Sequence, residues 1–258
     1  MDTLQFALWG LAALLGTFTI LWLVSLRLHD VSIVDPFWGP AFLLVALLYV
    51  GVSGGTGSRG SLTVTVVGVW ALRLGYHLLV RNRRHGEDPR YAAMRERNGP
   101  RFPFTSLFIV FWLQALLLWV VAMPILAAVT STGPLGAWDV VGVFMAGGGL
   151  ATEAVADAQL ARFRADPLSR GKVLDTGLWR FSRHPNYFGD SLFWWGLGFI
   201  GLGAGAWWGL LGPAVMTGLL LKVSGVTLLE QGLRRSRPGY EAYARRTSAF
   251  VPWFPRGE

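Results

Sequence analysis

The chain has no cysteine. That excludes a disulfide framework, a thiolate nucleophile and any metal site built on thiolates. Charge is scarce as well. Only 15% of the 258 residues are charged, where a soluble domain of this size carries about a quarter. Histidine is thin: four residues, at 29, 77, 85 and 184, none in a paired spacing such as HExxH, so no metal centre is expected. What fills the space is apolar. Hydrophobic residues make up 53% of the chain, and the mean hydropathy is +0.44. These are the proportions of an all-α, polytopic membrane protein. The 13 tryptophans fit that class, because indole rings favour the membrane interface.

The net charge is +8, a balance that can signal nucleic acid. Its distribution argues otherwise, because the basic residues lie between apolar spans, as in cytoplasmic membrane loops. The N-terminus does not read as a cleavable signal. It opens on Asp2, lacks a basic n-region, and its apolar run from Leu4 to Leu26 is long enough to span.

A span takes about 20 mostly apolar residues. Seven are read here, near 4–26, 34–52, 61–80, 105–129, 138–157, 187–204 and 206–229. The last two require an argument. Positions 191–221 carry no charge, a run too long for one ordinary span and short of the roughly 40 residues that two require. Loop charge decides. The segments 81–103, 157–186 and 230–258 hold 7, 6 and 6 of the 23 Lys and Arg residues. Two helices after residue 186 put all three segments on one side, in keeping with the positive-inside bias. The expected arrangement is therefore seven transmembrane helices, N-terminus outside and C-terminus in the cytosol. The chain reads as a single domain, 1–258, in a cell inner membrane.

The stretch Gly177–Asp190, GLWRFSRHPNYFGD, sits at the mouth of the charge-free run. Polar side chains at a membrane boundary are expensive to hold and usually functional. A helix N-terminus there suits a phosphate near residues 183–186, with Arg183 and His184 at hand. The GxGxxG match at Gly196–Gly201 lies inside a span, where small residues serve close helix packing, and the same reading extends to Gly147–Gly149. The basic 81–103 loop, which contains Arg81, Arg83 and Tyr91, reads either as topology and lipid-headgroup binding or as a phosphate clamp. Glu153 and Asp157 share one helix face. They either pair with Arg162 or Arg164, or accept hydrogen bonds from a ligand's amide or ribose hydroxyls. Arg73 and His77 share a face of the third span. An Asp35–Arg73 salt bridge and a proton-donating site both remain open.

The run Arg180–Asp190 resembles the steroid 5-alpha-reductase-like family of membrane reductases, closest to a bacterial branch of uncharacterised members. The Asp157–Arg164 spacing, VDPFWG (Val34–Gly39), HGEDPRY (His85–Tyr91), and Tyr243 followed by Pro252 resemble it too. The resemblance implies NADPH in a cytosolic-side cavity of a seven-helix fold and a lipid-like substrate among the helices. It implies that Glu153, Asp157, Arg164, Asn186, Tyr187, Asp190, Arg235 and Tyr243 touch the dinucleotide, with phosphate contacts from Arg81 and Arg83. The steroid enzymes hold the substrate carbonyl with a glutamate and a tyrosine. Here Asp35 is the only carboxylate of the second span, and the tyrosine position falls near Trp70, with Tyr76 and His77 close by. Asp35, His77 and Tyr76 are therefore the expected catalytic residues, with Asp35 and His77 as a pair. The expected activity is NADPH-dependent reduction of a conjugated C=C bond in a lipid-soluble molecule. The expected partners are that molecule and membrane lipids, without nucleic acid or an obligate protein partner. The RHPxYxG run also resembles isoprenylcysteine and phospholipid methyltransferases, which use S-adenosylmethionine. A non-catalytic lipid-binding protein is the third reading.

Overall fold

The computed structural model describes residues 2–82, 87–223 and 226–256; those residues form helices joined by turns and short irregular segments, without a strand. Twelve α-helices can be numbered among them: α1 Thr3–Leu28, α2 Trp38–Ser53, α3 Ser58–Asn82, α4 Pro89–Asn98, α5 Phe102–Ser106, α6 Leu113–Val121, α7 Met123–Thr130, α8 Ala137–Ala165, α9 Pro185–Gly203, α10 Leu211–Gly218, α11 Val226–Ser236 and α12 Tyr240–Arg246. Five stretches are long and apolar enough to cross a membrane: Thr3–Leu28, Val31–Ser53, Ser58–Arg81, Pro89–Val121 and Ala137–Ala165. The two later spans expected from sequence are not among them. α9 opens on the polar Asn186, Tyr187 and Asp190, and α10 is eight residues long before a π-helical turn at Leu219–Val223. The helix break expected between them is present. Ala204 N–H donates to both Ile200 and Gly201 carbonyls, and Gly205 turns with φ +79°.

The described chain forms two compact units. The first runs to Ala137 and takes in Ile200–Leu211. Its first helix is started by a capping box. The Asp2 carboxylate accepts from Gln5 N–H at 2.8 Å, and the Gln5 amide oxygen accepts from Asp2 N–H at 3.1 Å. Three indoles then pin α1 along the fourth apolar stretch. Trp22 donates to Pro103 C=O at 2.8 Å, Trp112 to Thr19 Oγ1 at 3.0 Å and Trp119 to Ala7 C=O at 2.7 Å. These tryptophans serve helix packing and not only an interfacial belt. The buried Arg59 guanidinium binds Ser131 Oγ at 2.6 Å and Pro134 C=O at 2.5 Å, which ties the start of α3 to the end of α7.

Part of the basic segment read as a loop is helix. Asp88 caps α4 by accepting from Arg90 N–H at 2.9 Å, and Pro89 sits at the first helical position. The cap is in turn held by Ser32 Oγ, which accepts from Asp88 N–H at 2.6 Å.

The second unit comprises Trp138–Phe199 and Gly212–Glu258. α8 and α9 meet backbone to backbone on glycines. A Cβ at Gly189 would stand 2.5 Å from Glu153 N, and one at Gly196 would stand 2.5 Å from Ala146 N and Gly142 O. Gly149 is equally closed in, by Gly189 and Phe193. The packing reading of these small residues therefore holds. It fails for Gly147 and Gly148, where an added Cβ meets nothing within 4 Å.

Candidate functional site

In the second unit the polar residues at the entry of α9 converge with α8, α11 and α12. Glu153 and Asp157, 4% and 7% exposed, lie one turn apart on the buried face of α8. Asn186, in the first turn of α9, donates through Nδ2 to Asp157 Oδ1 at 3.1 Å. Two of the residues expected at the dinucleotide are thus brought together. α8 continues to Ala165, which places Arg164 in its last turn, exposed.

His184 is buried and stacks on Tyr187, ring centroids 5.6 Å apart and planes 3° from parallel. Its Nε2 lies 3.3 Å from Glu230 Oε1. Glu230 was not singled out in the sequence, yet it is the hub of the cluster, because Arg183 Nε also donates to it, at 2.7 Å. Burial alone would raise this carboxyl. The hydrogen bonds from His184 and Arg183, with the charge on Arg183, outweigh burial and bring it down to about 2. The signal that could have found it is a lone acid at the end of an apolar run, just ahead of Arg234, Arg235 and Arg237.

Arg183 differs from expectation. Its Nη1 donates to Ala244 C=O at 2.8 Å and to Thr247 C=O at 2.7 Å, and its backbone N–H donates to Ser248 C=O at 2.8 Å. Glu230 takes Nε and the Ala244 and Thr247 carbonyls take Nη1, so each bidentate edge of the guanidinium is partly engaged and a phosphate would have to displace protein groups to use either. Tyr243 is likewise committed. Its hydroxyl donates to Trp179 C=O at 2.6 Å inside the unit, and burial raises it well above the ordinary tyrosine range. Both residues build the site's frame. Asp190 is half-buried on α9, and Arg235 is exposed on α11.

The first unit gathers the remaining motif residues. Asp35 is taken up not by His77 or Arg73 but by α4: Tyr91 Oη donates to Asp35 Oδ1 at 2.7 Å, and Arg90 Nη2 donates to Oδ2 at 2.9 Å. The capped start of α4 is what presents these two side chains. Tyr91, expected to serve the cofactor, also accepts from Gln114 Nε2 at 3.2 Å, and Gln114 Oε1 accepts from Trp38 Nε1 at 2.5 Å. VDPFWG and EDPRY are therefore two halves of one network. Nearby, Glu87 accepts from Val31 N–H at 3.0 Å and from Arg95 Nη2 at 2.7 Å. Burial raises its carboxyl, but these bonds win and hold it below the usual range. His77 and Arg73 are half-buried. Tyr76 is 71% exposed, on the outward face it shares with Leu72, Leu79 and Val80, so it is not placed among the interior residues. Arg81 is exposed at the end of α3. Arg83 lies outside the described residues.

A family model described as a protein of unknown function, DUF1295, matches residues 21–247. The uncharacterised protein C594.04c of Schizosaccharomyces pombe is similar, 28% identical over 263 residues that cover 90% of this chain and 76% of that protein. No solved structure matches. The matched residues run from the middle of α1 to the end of α12 and include both polar clusters. The chain belongs to the DUF1295 family.

Proposed function

We propose that the chain is an NADPH-dependent membrane reductase acting on a conjugated C=C bond in a lipid-soluble enone. The observation that carries this reading is the Asn186–Asp157 hydrogen bond. It sets the opening of α9, a helix N-terminus that favours an anionic group, beside the buried carboxylates of α8. Glu153 and Asp157 suit the amide and ribose hydroxyls of a dinucleotide, and Asn186 and Asp190 extend the same set. Tyr187, already stacked on His184, offers an aromatic face. The exposed Arg164 and Arg235 suit phosphates. Arg183 and Tyr243 hold the frame.

Bound there, the dinucleotide supplies the hydride; the chain positions it and excludes water. Reduction of an enone also requires a hydrogen-bond donor at the carbonyl oxygen and a proton at the alpha carbon. The proposed arrangement has seven crossings in a cell inner membrane. The two beyond the five apolar stretches are supplied by α9 and by residues 206–229, which end before Glu230. The N-terminus is outside, and the cofactor site and C-terminus are cytosolic.

Thermal unfolding of the purified protein with NADPH, NADH and S-adenosylmethionine tests the reading. A ligand at a hundred times its Kd stabilises by about 2.7 kcal/mol, and that shift is expected with NADPH. Stabilisation by S-adenosylmethionine alone would assign the protein to the methyltransferases. No shift with any of the three would leave a lipid-binding protein without catalysis.

A further inference from the structure

The segment after α12 is held in place along the motif. Ser182 Oγ donates to Phe250 C=O at 2.7 Å, Trp253 N–H to Phe181 C=O at 2.9 Å, and Arg256 N–H to Arg246 C=O at 2.9 Å. With its backbone fixed this way, the segment leaves Trp253 and Phe254 70% and 77% exposed, beside an exposed Val251. A loose tail could fold such rings away from water; this one is bonded on both sides of them. Large exposed apolar groups in a fixed geometry mark an interaction surface.

Charge identifies the partner. Between residues 230 and 256 there are six arginines against Glu230 and Glu241. Arg245 and Arg256 are exposed. The tether is also at a particular level. Arg183 lies two residues before α9, where the polar opening gives way to the charge-free run 191–221. Aromatic rings and arginines side by side at a polar–apolar boundary match the headgroup region of a bilayer, and arginine adds attraction for anionic lipid.

We propose that Val251–Arg256 docks on the headgroup region of an anionic bilayer, with the Trp253 and Phe254 rings below the phosphates and the arginines against them. This rests on α9 entering the membrane at the motif.

Because the chain has no cysteine, Val251→Cys and Phe254→Cys each give a single labelling site in the full protein. A polarity-sensitive dye at either site is read in vesicles of phosphatidylcholine with and without phosphatidylglycerol. The expected result is blue-shifted emission in the anionic vesicles, quenched more by lipid spin-labelled just below the headgroup than by aqueous iodide. Replacing Trp253 and Phe254 by Ala in the Val251→Cys protein should restore iodide quenching. Stronger quenching by iodide in the unsubstituted segment would put it in water and overturn the proposal. Protection from both quenchers would show a protein covering, a second copy or another chain, and overturn it equally. A Leu192→Cys label quenched by iodide would show α9 itself outside the bilayer, and the proposal would fall through its premise.

Discussion

Glu230 joins α11 to both Arg183 and His184 at the entry of α9 through one carboxylate, so its removal should be felt well beyond α11. Glu230→Gln weakens two charge-assisted bonds and leaves Arg183 without a counter-charge, which should destabilise the fold by about 2–3 kcal/mol, read by thermal unfolding. The pH dependence has a definite sign. The folded carboxyl titrates near 2, against an ordinary value of 4.5. Its contribution is therefore complete above 4.5 and is lost as pH falls from 4.5 toward 2, a loss the Gln variant should not show. For the cofactor site, Asn186→Ala and Asp157→Ala should each weaken NADPH binding by about 1–3 kcal/mol in titration calorimetry, because each leaves a buried polar partner behind. Unchanged affinity in both folded variants would make the pair structural. The shared face of Glu153 and Asp157 was within reach of sequence reasoning, since a four-residue spacing sets it wherever the segment is helical; their meeting with Asn186, 29 positions on from Asp157, was not. The Tyr91–Asp35 bond was not, because it joins residues 56 positions apart and no local pattern encodes it. Arg183 was misread for a chemical reason. A guanidinium that clamps carbonyls and one that clamps phosphate are the same group in the same sequence context.

At the scale of the helix, the α8–α9 contact depends on the absence of side chains. Gly189→Ala or Gly196→Ala places a methyl against backbone atoms, which cannot rotate away, and should destabilise by about 2–3 kcal/mol. Gly147→Ala, where a methyl meets nothing within 4 Å, should stay within about 1 kcal/mol of the parent. Equal effects at Gly147 and Gly189 in a detergent melt would remove the distinction. Helix α4 shows how an element was overlooked. Its charge marked the region as a loop, while Asp88-Pro89, a strong helix-start signal, stood inside it.

For the whole molecule, the testable quantity is sidedness. Reporter fusions after Gly55, Pro134 and Ala204 should be periplasmic in a bacterial host, and fusions after Asn98 and Arg170 cytosolic. A periplasmic reading after Arg246 would undo the paired crossings on either side of Gly205. Composition made the helical membrane character legible, because bilayers leave the backbone few alternatives. The grouping into two compact units was not legible, because it depends on which helices pack. One consequence concerns the order in which the chain is made. Apolar segments are inserted as they emerge from the ribosome, so in the proposed seven-crossing arrangement the motif arginine reaches the membrane before its partners exist: Glu230, Ala244 and Thr247 follow Arg183 by 47, 61 and 64 residues. During that interval its charge must be satisfied by water, lipid phosphates or the insertion machinery. A ribosome stalled before Ala244 therefore holds an inserted but unlatched protein, whose α9 entry closes only when translation resumes.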